Sequence, residues 1–238
     1  MNIWFIKSKR EGVIIKIGGK KNKIWGKEKQ NGSYKESKKR KRVGLYSLIG
    51  EQKNGGLTSK KIEEFLTRNT ILDLEIKKRL LEWRDEFKFW EDQVSNYPFV
   101  ERAKYHRDLI RAMRSFIKPK FGETWGDFAA GPAIMSKIIW EESKGGVKGI
   151  IALDIILDSA RERAKEIPVL ELKYRNLGER LDFSDKTFDG IVSNIAIPYV
   201  IEFEGFRGKT GMTKIFKELF RVLKAGGHLI WSIPTEKN

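Results

Sequence analysis

The spacing of hydrophobic positions along the chain changes near residue 119. Before that point, apolar residues recur every three or four positions over Leu72–Trp90 and again over Tyr105–Phe116. This spacing places them on one face of a helix. It predicts a long helix in the first range and a second helix over about 100–117, and a shorter helix is predicted over 60–67.

After residue 119, short apolar segments alternate with helical ones, which is typical of a parallel α/β sheet. Apolar runs bounded by turn residues predict five strands, and three stretches with helical spacing lie between them. The predicted strands are 124–129, 149–154, 169–174, 188–194 and 228–233, and the predicted helices are 132–142, 157–166 and 213–223. The sequence therefore predicts an α/β fold with a Rossmann-like, doubly wound and mostly parallel sheet of about five strands.

The first quarter of the chain has a third pattern. Its apolar residues form short clusters between residues 3 and 49, separated by Gly, Asn and Lys, which predicts a few short antiparallel strands. We therefore divide the chain into a small β-rich N-terminal region (1–56), a helical segment (57–118) and an α/β core (119–238).

The N-terminal region also carries most of the excess positive charge. The chain has 48 Lys and Arg against 32 Asp and Glu, which gives a net charge of +16. Residues 1–60 hold 17 basic and 4 acidic residues, including the densest basic run, Lys35–Arg42. Two interpretations stay open: the region binds the phosphates of RNA or another polyanion, or it is a solvated extension.

Cysteine is absent from the chain, and only two histidines occur. This excludes disulfides, Cys-ligated zinc or iron–sulfur clusters and a thiolate nucleophile. No metal site is expected. The N-terminus lacks the apolar core of a secretory signal, and no apolar run is long enough to cross a membrane, so we expect a cytoplasmic protein with no membrane span.

The first strand of the core ends in a loop that suits the close approach of a ligand. The sequence GDFAAGPA puts Asp127 in the strand, then the small residues Ala129, Ala130 and Gly131, and Pro132 at the first position of the next helix. The dinucleotide fingerprint Gly-x-Gly-x-x-Gly is absent, and a loop with one glycine is a poor cradle for a pyrophosphate. A nucleoside without phosphates fits better.

Two polar residues follow the next strands. Asp154 ends the second strand, 23 residues after Gly131, at the place where a carboxylate accepts ribose hydroxyls in nucleotide-binding folds. The alternative is that Asp154 caps the helix that begins near Asp158. Asn176 lies just past the third strand, where it either binds an adenine edge or forms part of a simple turn.

Four segments of the core together resemble a known family. They are DFAAGPA, ALD, LDFSDKTFDGIVSNIAIPYV and ELFRVLKAGGHLIWSIP, within Thr124–Pro234. In this order they are similar to the glycine-rich loop, the acid after strand two, the segment around strand four and the turn before strand five of the class I S-adenosylmethionine-dependent methyltransferases. The subgroup that they resemble includes the ubiquinone and menaquinone methyltransferases.

The resemblance implies that S-adenosylmethionine is the cofactor and that its methyl group passes by direct in-line displacement to an acceptor, which we expect to be a small molecule. It implies no particular catalytic residue, and a general base is optional. Asp127, Ala129 and Gly131 are implied to hold the methionine part, Asp154 the ribose, Asn176 and Leu177 the adenine, and Asn194 to face the reacting centre, with Ala130 and Ile155 completing the cofactor site.

The chain departs from the family at several positions. Ala129 and Ala133 stand where glycines are usual, and Pro198 stands where many relatives have a histidine. The sequence ends soon after the fifth strand, whereas the family's sheet normally has two more. Three explanations stay open: strand five is a sheet edge, the N-terminal strands cover it, or the chain is a truncated or divergent member.

Further expectations concern residues outside the cofactor loop. The helices before residue 119 are expected to form a lid over the acceptor. His106 is expected to be either a surface helix residue or an acid or base, and His228 is expected to be structural.

Two further functions stay open: an RNA or ribosome-associated methyltransferase that uses the basic region 1–56, and a non-catalytic nucleoside-binding module. The absence of cysteine excludes methyl transfer through a cysteine nucleophile.

Overall fold

The structure, a computed structural model, describes residues 2–9, 12–17, 20–22, 58–94, 104–196 and 209–233. For the first three of these ranges it describes the backbone only. The predicted apolar clusters at 23–25 and 44–50 lie outside the described residues, and so does Pro198.

Among the described residues, eight strands form one sheet at the centre of the fold. Its strands are β1 (Asn2–Lys9), β2 (Gly12–Ile17), β3 (Lys20–Asn22), β4 (Thr124–Phe128), β5 (Gly149–Asp154), β6 (Leu170–Tyr174), β7 (Phe188–Asn194) and β8 (Leu223–Ile233). Their order across the sheet is β3-β2-β1-β8-β7-β4-β5-β6. The five strands β4 to β8 pair in parallel, which confirms the predicted α/β sheet.

The N-terminal strands continue this sheet in the antiparallel sense. β1 pairs with β8, from Asn2 opposite Ile233 to Lys7 opposite His228. β2 pairs with β1, and β3 with β2, also antiparallel. The fifth parallel strand is therefore covered by β1, which is the second of the three explanations. An antiparallel neighbour satisfies backbone groups of β8 that an open sheet edge would leave exposed.

Six α-helices lie within the described part of the chain: α1 (Ser59–Arg68), α2 (Leu74–Val94), α3 (Lys104–Arg114), α4 (Ile134–Glu142), α5 (Arg161–Glu166) and α6 (Lys209–Val222). Each overlaps a predicted helix, although α6 begins four residues before the predicted range 213–223 and α2 ends four residues after Trp90. Among them, none has the length and apolar character that a membrane span requires.

The helix after β4 begins later than the sequence predicts. Pro132 is not its first residue, because α4 begins at Ile134. Ala133 precedes it with a left-handed backbone, φ 57°, which no residue inside a right-handed helix adopts. The proline therefore belongs to the turn that leads into α4.

β8 begins earlier than predicted, at Leu223 instead of His228. Leu223 already pairs with Phe188 of β7, and the regular register resumes where Gly190 pairs with His228. The residues between the two pairs form an irregularity of the kind that inserts extra residues into one strand. A turn sequence such as Ala-Gly-Gly hides this early pairing from a reading of hydrophobic pattern.

Helices cover both faces of the parallel strands. One face packs against α6, around Phe128 and Leu219, which are both fully buried. The other face packs against α3 and α4, around Trp125 and Met113. The sheet is therefore enclosed in the described core, and the positions where a ligand can approach lie at its strand ends.

Candidate cofactor site

The carboxyl ends of the parallel strands bring the predicted site residues to one edge of the sheet. Asp154 pairs with Tyr174 of β6, and Asn194 pairs with Ser232 of β8. The registers of β4 with β5 and β7, continued past their last pairs, put Ala129 between Asp154 and Asn194. These two polar residues therefore lie two strands apart, a spacing of about 10 Å.

The loop after β4 has a left-handed backbone at alternate positions. Ala129, Gly131 and Ala133 have φ values of 57°, 49° and 57°. Glycine adopts this conformation without strain, whereas alanine does so at a cost of about 1–2 kcal/mol. The loop thus keeps the backbone of a glycine-rich loop at the two positions where alanine replaces the usual glycine. Its side chains are small, and Ala129 is the half-buried member of the three.

Asp154 is bonded directly to this loop. Its Oδ2 accepts a hydrogen bond from the N–H of Gly131 at 2.8 Å, and its Oδ1 accepts from the N–H groups of Ile155 and Ile156 at 2.6 and 3.2 Å. Burial raises the pKa of Asp154, and the three N–H bonds oppose that rise. The carboxylate has about four acceptor positions in all, so one remains for a ligand hydroxyl.

The alternative role of Asp154 as a helix cap is wrong. The short 3₁₀-helix Asp158–Ala160 begins after Leu157 and has no side-chain capping bond. Asp154 instead bonds the two residues that follow it and the loop of the neighbouring strand. The carboxylate is therefore held at the strand end, at the level of the loop.

Asp127 is buried and bonded to α4. It is 1% exposed, and its Oδ2 accepts hydrogen bonds from the backbone N–H and the hydroxyl of Ser136 at 2.8 and 2.7 Å. Burial raises the pKa of Asp127 to about 7; the two bonds from Ser136 oppose the rise, and the charge of Asp154 adds to it. Asp127 thus fastens α4 to the end of β4. Contact between Asp127 and a ligand stays a prediction.

Asn176 and Leu177 lie in the segment after β6, and both are buried. The Oδ1 of Asn176 accepts a hydrogen bond from the N–H of Gly178 at 2.8 Å, which closes a turn. The N–H of Arg175 donates to the backbone carbonyl of Asp154 at 2.9 Å. The turn alternative for Asn176 therefore has structural support, and its adenine contact stays a prediction.

Asn194 is held by a residue that sequence reasoning missed. The hydroxyl of Ser232 lies 2.7 Å from the Oδ1 of Asn194, and it also accepts from the N–H of Ile195 at 3.0 Å. Ser232 is fully buried at the end of β8, as Ser136 is in the first turn of α4. In the sequence, each of these two serines stands inside an apolar run. A polar residue in such a run is expected to be buried and hydrogen-bonded, and this was the signal that could have identified them.

Two helices pack beside the acid of the site. α1 and α2 form a cluster around Leu80 and Phe87 that includes Ile156, two residues after Asp154, and Ile155 packs against the same cluster. α3 lies elsewhere, in the helical layer on the sheet. The lid prediction therefore concerns α1 and α2, and it stays a prediction.

The structure describes both histidines, and the acid or base role considered for His106 stays a prediction. His106 is 7% exposed, so the expectation of a surface residue is wrong. It lies three residues before Leu109 and seven before Met113, on the buried face of α3. His228 packs beside Trp125 with ring centroids 6.4 Å apart, which fits its expected structural role. The described residues contain no group of three His, Cys, Asp or Glu that could hold a metal ion.

The chemistry of these residues fits S-adenosylmethionine. Asp154 offers an acceptor to a sugar hydroxyl, and the segment Ala129–Ala133 has no side chain larger than that of Pro132. That segment contains no basic residue of its own, and the guanidinium of Arg163 donates to the carbonyl of Pro132. Ile155 and Leu177 supply apolar surface close to Asp154 and Asn176.

A family model described as "Methyltransferase domain" matches residues 127–231. No curated protein sequence matches the chain. Among solved structures, phosphoethanolamine N-methyltransferase 1 of Haemonchus contortus, in complex with phosphoethanolamine and S-adenosylhomocysteine, is similar with a TM-score of 0.51 and 16% identity. That match covers 66% of this chain and 33% of the Haemonchus chain.

Two further structures have lower TM-scores. The YcgJ protein from Bacillus subtilis has a TM-score of 0.43 and 20% identity over 53% of this chain and 50% of its own. A chain of the Haloferax volcanii complex that contains the Trm112 methyltransferase activator has a TM-score of 0.43 and 18% identity over 52% of this chain and 50% of its own. This chain thus spans about half the length of these structures, and at such identities the similarity concerns the fold alone.

The family match includes all of the predicted cofactor residues. It runs from Asp127 in β4 through Trp231 in β8, and it contains Asp154, Asn176 and Asn194. The order of the four sequence motifs and the parallel sheet agree with it. Residues 127–231 of this chain therefore form a methyltransferase domain of the class I S-adenosylmethionine-dependent type.

Proposed function

We propose that the chain transfers a methyl group from S-adenosylmethionine to an acceptor molecule at the carboxyl edge of its parallel strands. The observation that carries the proposal is the hydrogen bond from Gly131 to Asp154, which joins the loop to the acid of the ribose position. The methyltransferase family match supports the cofactor and the reaction class.

We assign the cofactor contacts as follows. Asp154 accepts a ribose hydroxyl through a lone pair that its N–H bonds leave unused. The backbone of Ala129–Gly131 meets the methionine part, and Asp127 supports that loop through its bonds to Ser136. Ile155 and Leu177 contact the adenine ring, and Asn176 binds its polar edge.

The cofactor and the protein contribute different parts of the proposed reaction. S-adenosylmethionine, when bound, supplies a methyl group that its positive sulfur already activates. The protein has to orient the acceptor in line with that methyl group and exclude water. A general base is needed only where the acceptor carries a proton that must leave. We assign the exclusion of water to α1 and α2, because they pack on Ile156 beside the site.

We propose a small molecule as the acceptor. The Haemonchus structure is a complex with phosphoethanolamine and S-adenosylhomocysteine, and this supports a small acceptor for this fold. Membership of the ubiquinone and menaquinone subgroup rests on the sequence motifs and remains a hypothesis. A cytoplasmic location is also a hypothesis.

The distribution of charge favours a second candidate, an enzyme that methylates RNA. Residues 1–60 carry 17 of the 48 basic residues and only 4 of the 32 acidic ones. A basic region of this kind attracts phosphates, and such binding weakens steeply as salt increases. The third candidate, a non-catalytic nucleoside-binding module, requires cofactor binding without transfer.

One transfer experiment separates the three candidates. The full chain is incubated with S-adenosylmethionine labelled in its methyl group, in parallel with a small-molecule extract and with total RNA at low and high salt. We expect label in the small-molecule fraction. Label in RNA that falls with salt would favour the second candidate, and label in neither fraction, together with binding of S-adenosylhomocysteine, would favour the third.

The same experiment has a matched pair of variants. Asp154→Asn changes the carboxylate of the proposed ribose contact and should reduce transfer strongly. Asp158→Asn changes an exposed acid four positions away that pairs with Arg161 at the surface. This control should retain transfer close to that of the unaltered protein, since an exposed ion pair contributes little to stability.

A further inference from the structure

The hydrogen bonds around Ser232 have a direction that can be worked out. Its Oγ lies 3.0 Å from the backbone nitrogen of Ile195 and 2.7 Å from the Oδ1 of Asn194. A backbone N–H can only donate, so the Ser232 oxygen is the acceptor for Ile195. Its own hydrogen is then available for a second partner.

That hydrogen needs an acceptor, because Ser232 is 0% exposed and a buried donor without a partner is costly. Within the described residues, the oxygen of the Asn194 amide supplies it. If the amide turned over, its NH₂ group would face Ser232 and the serine hydrogen would lose its acceptor. The bond therefore favours one amide orientation by roughly tenfold or more.

The backbone at this point is held in an uncommon conformation. Ile195 has a φ of 60°, in the left-handed region that β-branched residues rarely adopt. Its N–H donates to the backbone carbonyl of Ser232 at 3.2 Å as well as to the hydroxyl. Both bonds connect the end of β7 to β8, so the fold determines where the Asn194 side chain lies.

We propose that Ser232 is a positioning residue that directs the NH₂ group of Asn194 toward the reacting centre. The inference rests on the proposed function, because Asn194 faces that centre only if the cofactor binds along the strand ends. Asn194 is half-buried, and its oxygen is engaged by Ser232. The amide hydrogens therefore meet whatever lies beside the methyl group: they favour an atom with a lone pair and oppose a protonated amine.

The cofactor analogue sinefungin tests this orientation of the amide. It carries a protonated amino group close to the position that the transferred methyl group has in S-adenosylmethionine. Calorimetry measures the affinity of sinefungin and that of S-adenosylhomocysteine, which has no amino group at the position of the methyl group. In Ser232→Ala the amide can turn and offer its oxygen, so we expect the affinity of sinefungin relative to S-adenosylhomocysteine to rise about threefold or more. Ser232→Thr keeps a hydroxyl and should restore the ratio of the unaltered protein.

Asn194→Asp supplies a second, independent test. A carboxylate facing the amine should raise the relative affinity of sinefungin by about tenfold. An unchanged ratio in both Ser232→Ala and Asn194→Asp would overturn the proposal, even if Ser232→Thr failed to fold. Absence of any binding of S-adenosylhomocysteine by the unaltered protein would instead reject the proposed function itself.

Discussion

The Oδ2 of Asp154 accepts a hydrogen bond from the backbone N–H of Gly131 at 2.8 Å, across 23 positions of the chain. This bond ties the end of β5 to the loop that follows β4. Asp154 therefore has two tasks, holding the loop and accepting from a ligand. A change at Asp154 alters both, so its effect on binding has to be compared with its effect on the free energy of unfolding.

The pKa of Asp127 predicts a pH-dependent stability. Burial raises this pKa from 3.8 to about 7, so between these values the folded protein binds a proton that the unfolded chain has released. The resulting stabilisation is present at low pH and is lost as the pH rises through 7. We expect the free energy of unfolding in urea to fall between pH 5 and pH 8.

Asp127→Asn removes this titration while keeping an oxygen that accepts from Ser136. The variant should show a shallower decrease over the same pH range and should be more stable than the unaltered protein above pH 7. The raised pKa of Asp154 leaves part of the slope in place. An equal slope in both proteins would show that Asp127 does not titrate in this range.

Ala129 and Ala133 give a matched pair for the strained loop. Both have a φ of 57°, but Ala129 is half-buried whereas Ala133 is 0% exposed. Ala129→Gly removes the left-handed strain and should raise the free energy of unfolding by about 0.5–1 kcal/mol. Ala133→Gly also loses a buried methyl group, worth about 0.8 kcal/mol, and should change stability little. A clear loss of stability in Ala129→Gly would contradict this account of the loop.

Arg221 of α6 holds the segment between β6 and β7. Its guanidinium donates to the carbonyls of Phe183 and Leu181 at 2.7 and 2.8 Å and pairs with Asp185 and Glu218. We expect Arg221→Ala to lower the free energy of unfolding by about 2–3 kcal/mol, since buried carbonyls lose their donors.

The control for Arg221 is a more exposed arginine. Arg114 pairs with Glu141 and Glu142 on the surface, and its side chain is 45% exposed. Arg114→Ala should cost less than about 1 kcal/mol, because solvent screens such pairs. Equal losses in the two variants, measured by urea unfolding, would reject the special role of Arg221.

Ile156 connects α1 and α2 to the site, and its substitution should loosen these helices selectively. Ile156→Ala removes a side chain that is 6% exposed within their cluster. We expect the local stability of this cluster to fall by about 2 kcal/mol. Backbone amides in α1 and α2 should then exchange hydrogen more than tenfold faster. The amides of β4 should be unaffected. Leu74→Ala is the control, because that side chain is 82% exposed; faster exchange throughout the sheet in Ile156→Ala would argue against a separate helical layer.

Much of the fold could be predicted because its signals are local. The five parallel strands could be predicted from apolar runs bounded by turn residues. Asp154 could be predicted as a site residue because it is an acid directly at the end of a strand. The positions of Ala129 and Ala133 were recognisable as glycine positions, and their left-handed backbone agrees with that.

The remaining features depend on contacts between distant segments. Ser136 and Ser232 gain their roles from Asp127 and Asn194, to which no spacing in the sequence points. The start of β8 at Leu223 depends on pairing with β7 across an irregular register. The burial of His106 was, by contrast, available from its spacing to Leu109, and sequence reasoning overlooked it.

The central claim is that Asp154 binds the ribose of the cofactor. Titration calorimetry tests it with S-adenosylhomocysteine and its 2′,3′-dideoxyribose analogue, on the unaltered protein and on Asp154→Asn. A site built to bond a hydroxyl rejects a ligand that lacks it, so the unaltered protein should prefer the ribose ligand by about tenfold or more. That preference should largely disappear in Asp154→Asn, whatever the variant does to the loop. The same preference in both proteins, or no binding at all, would contradict the claim.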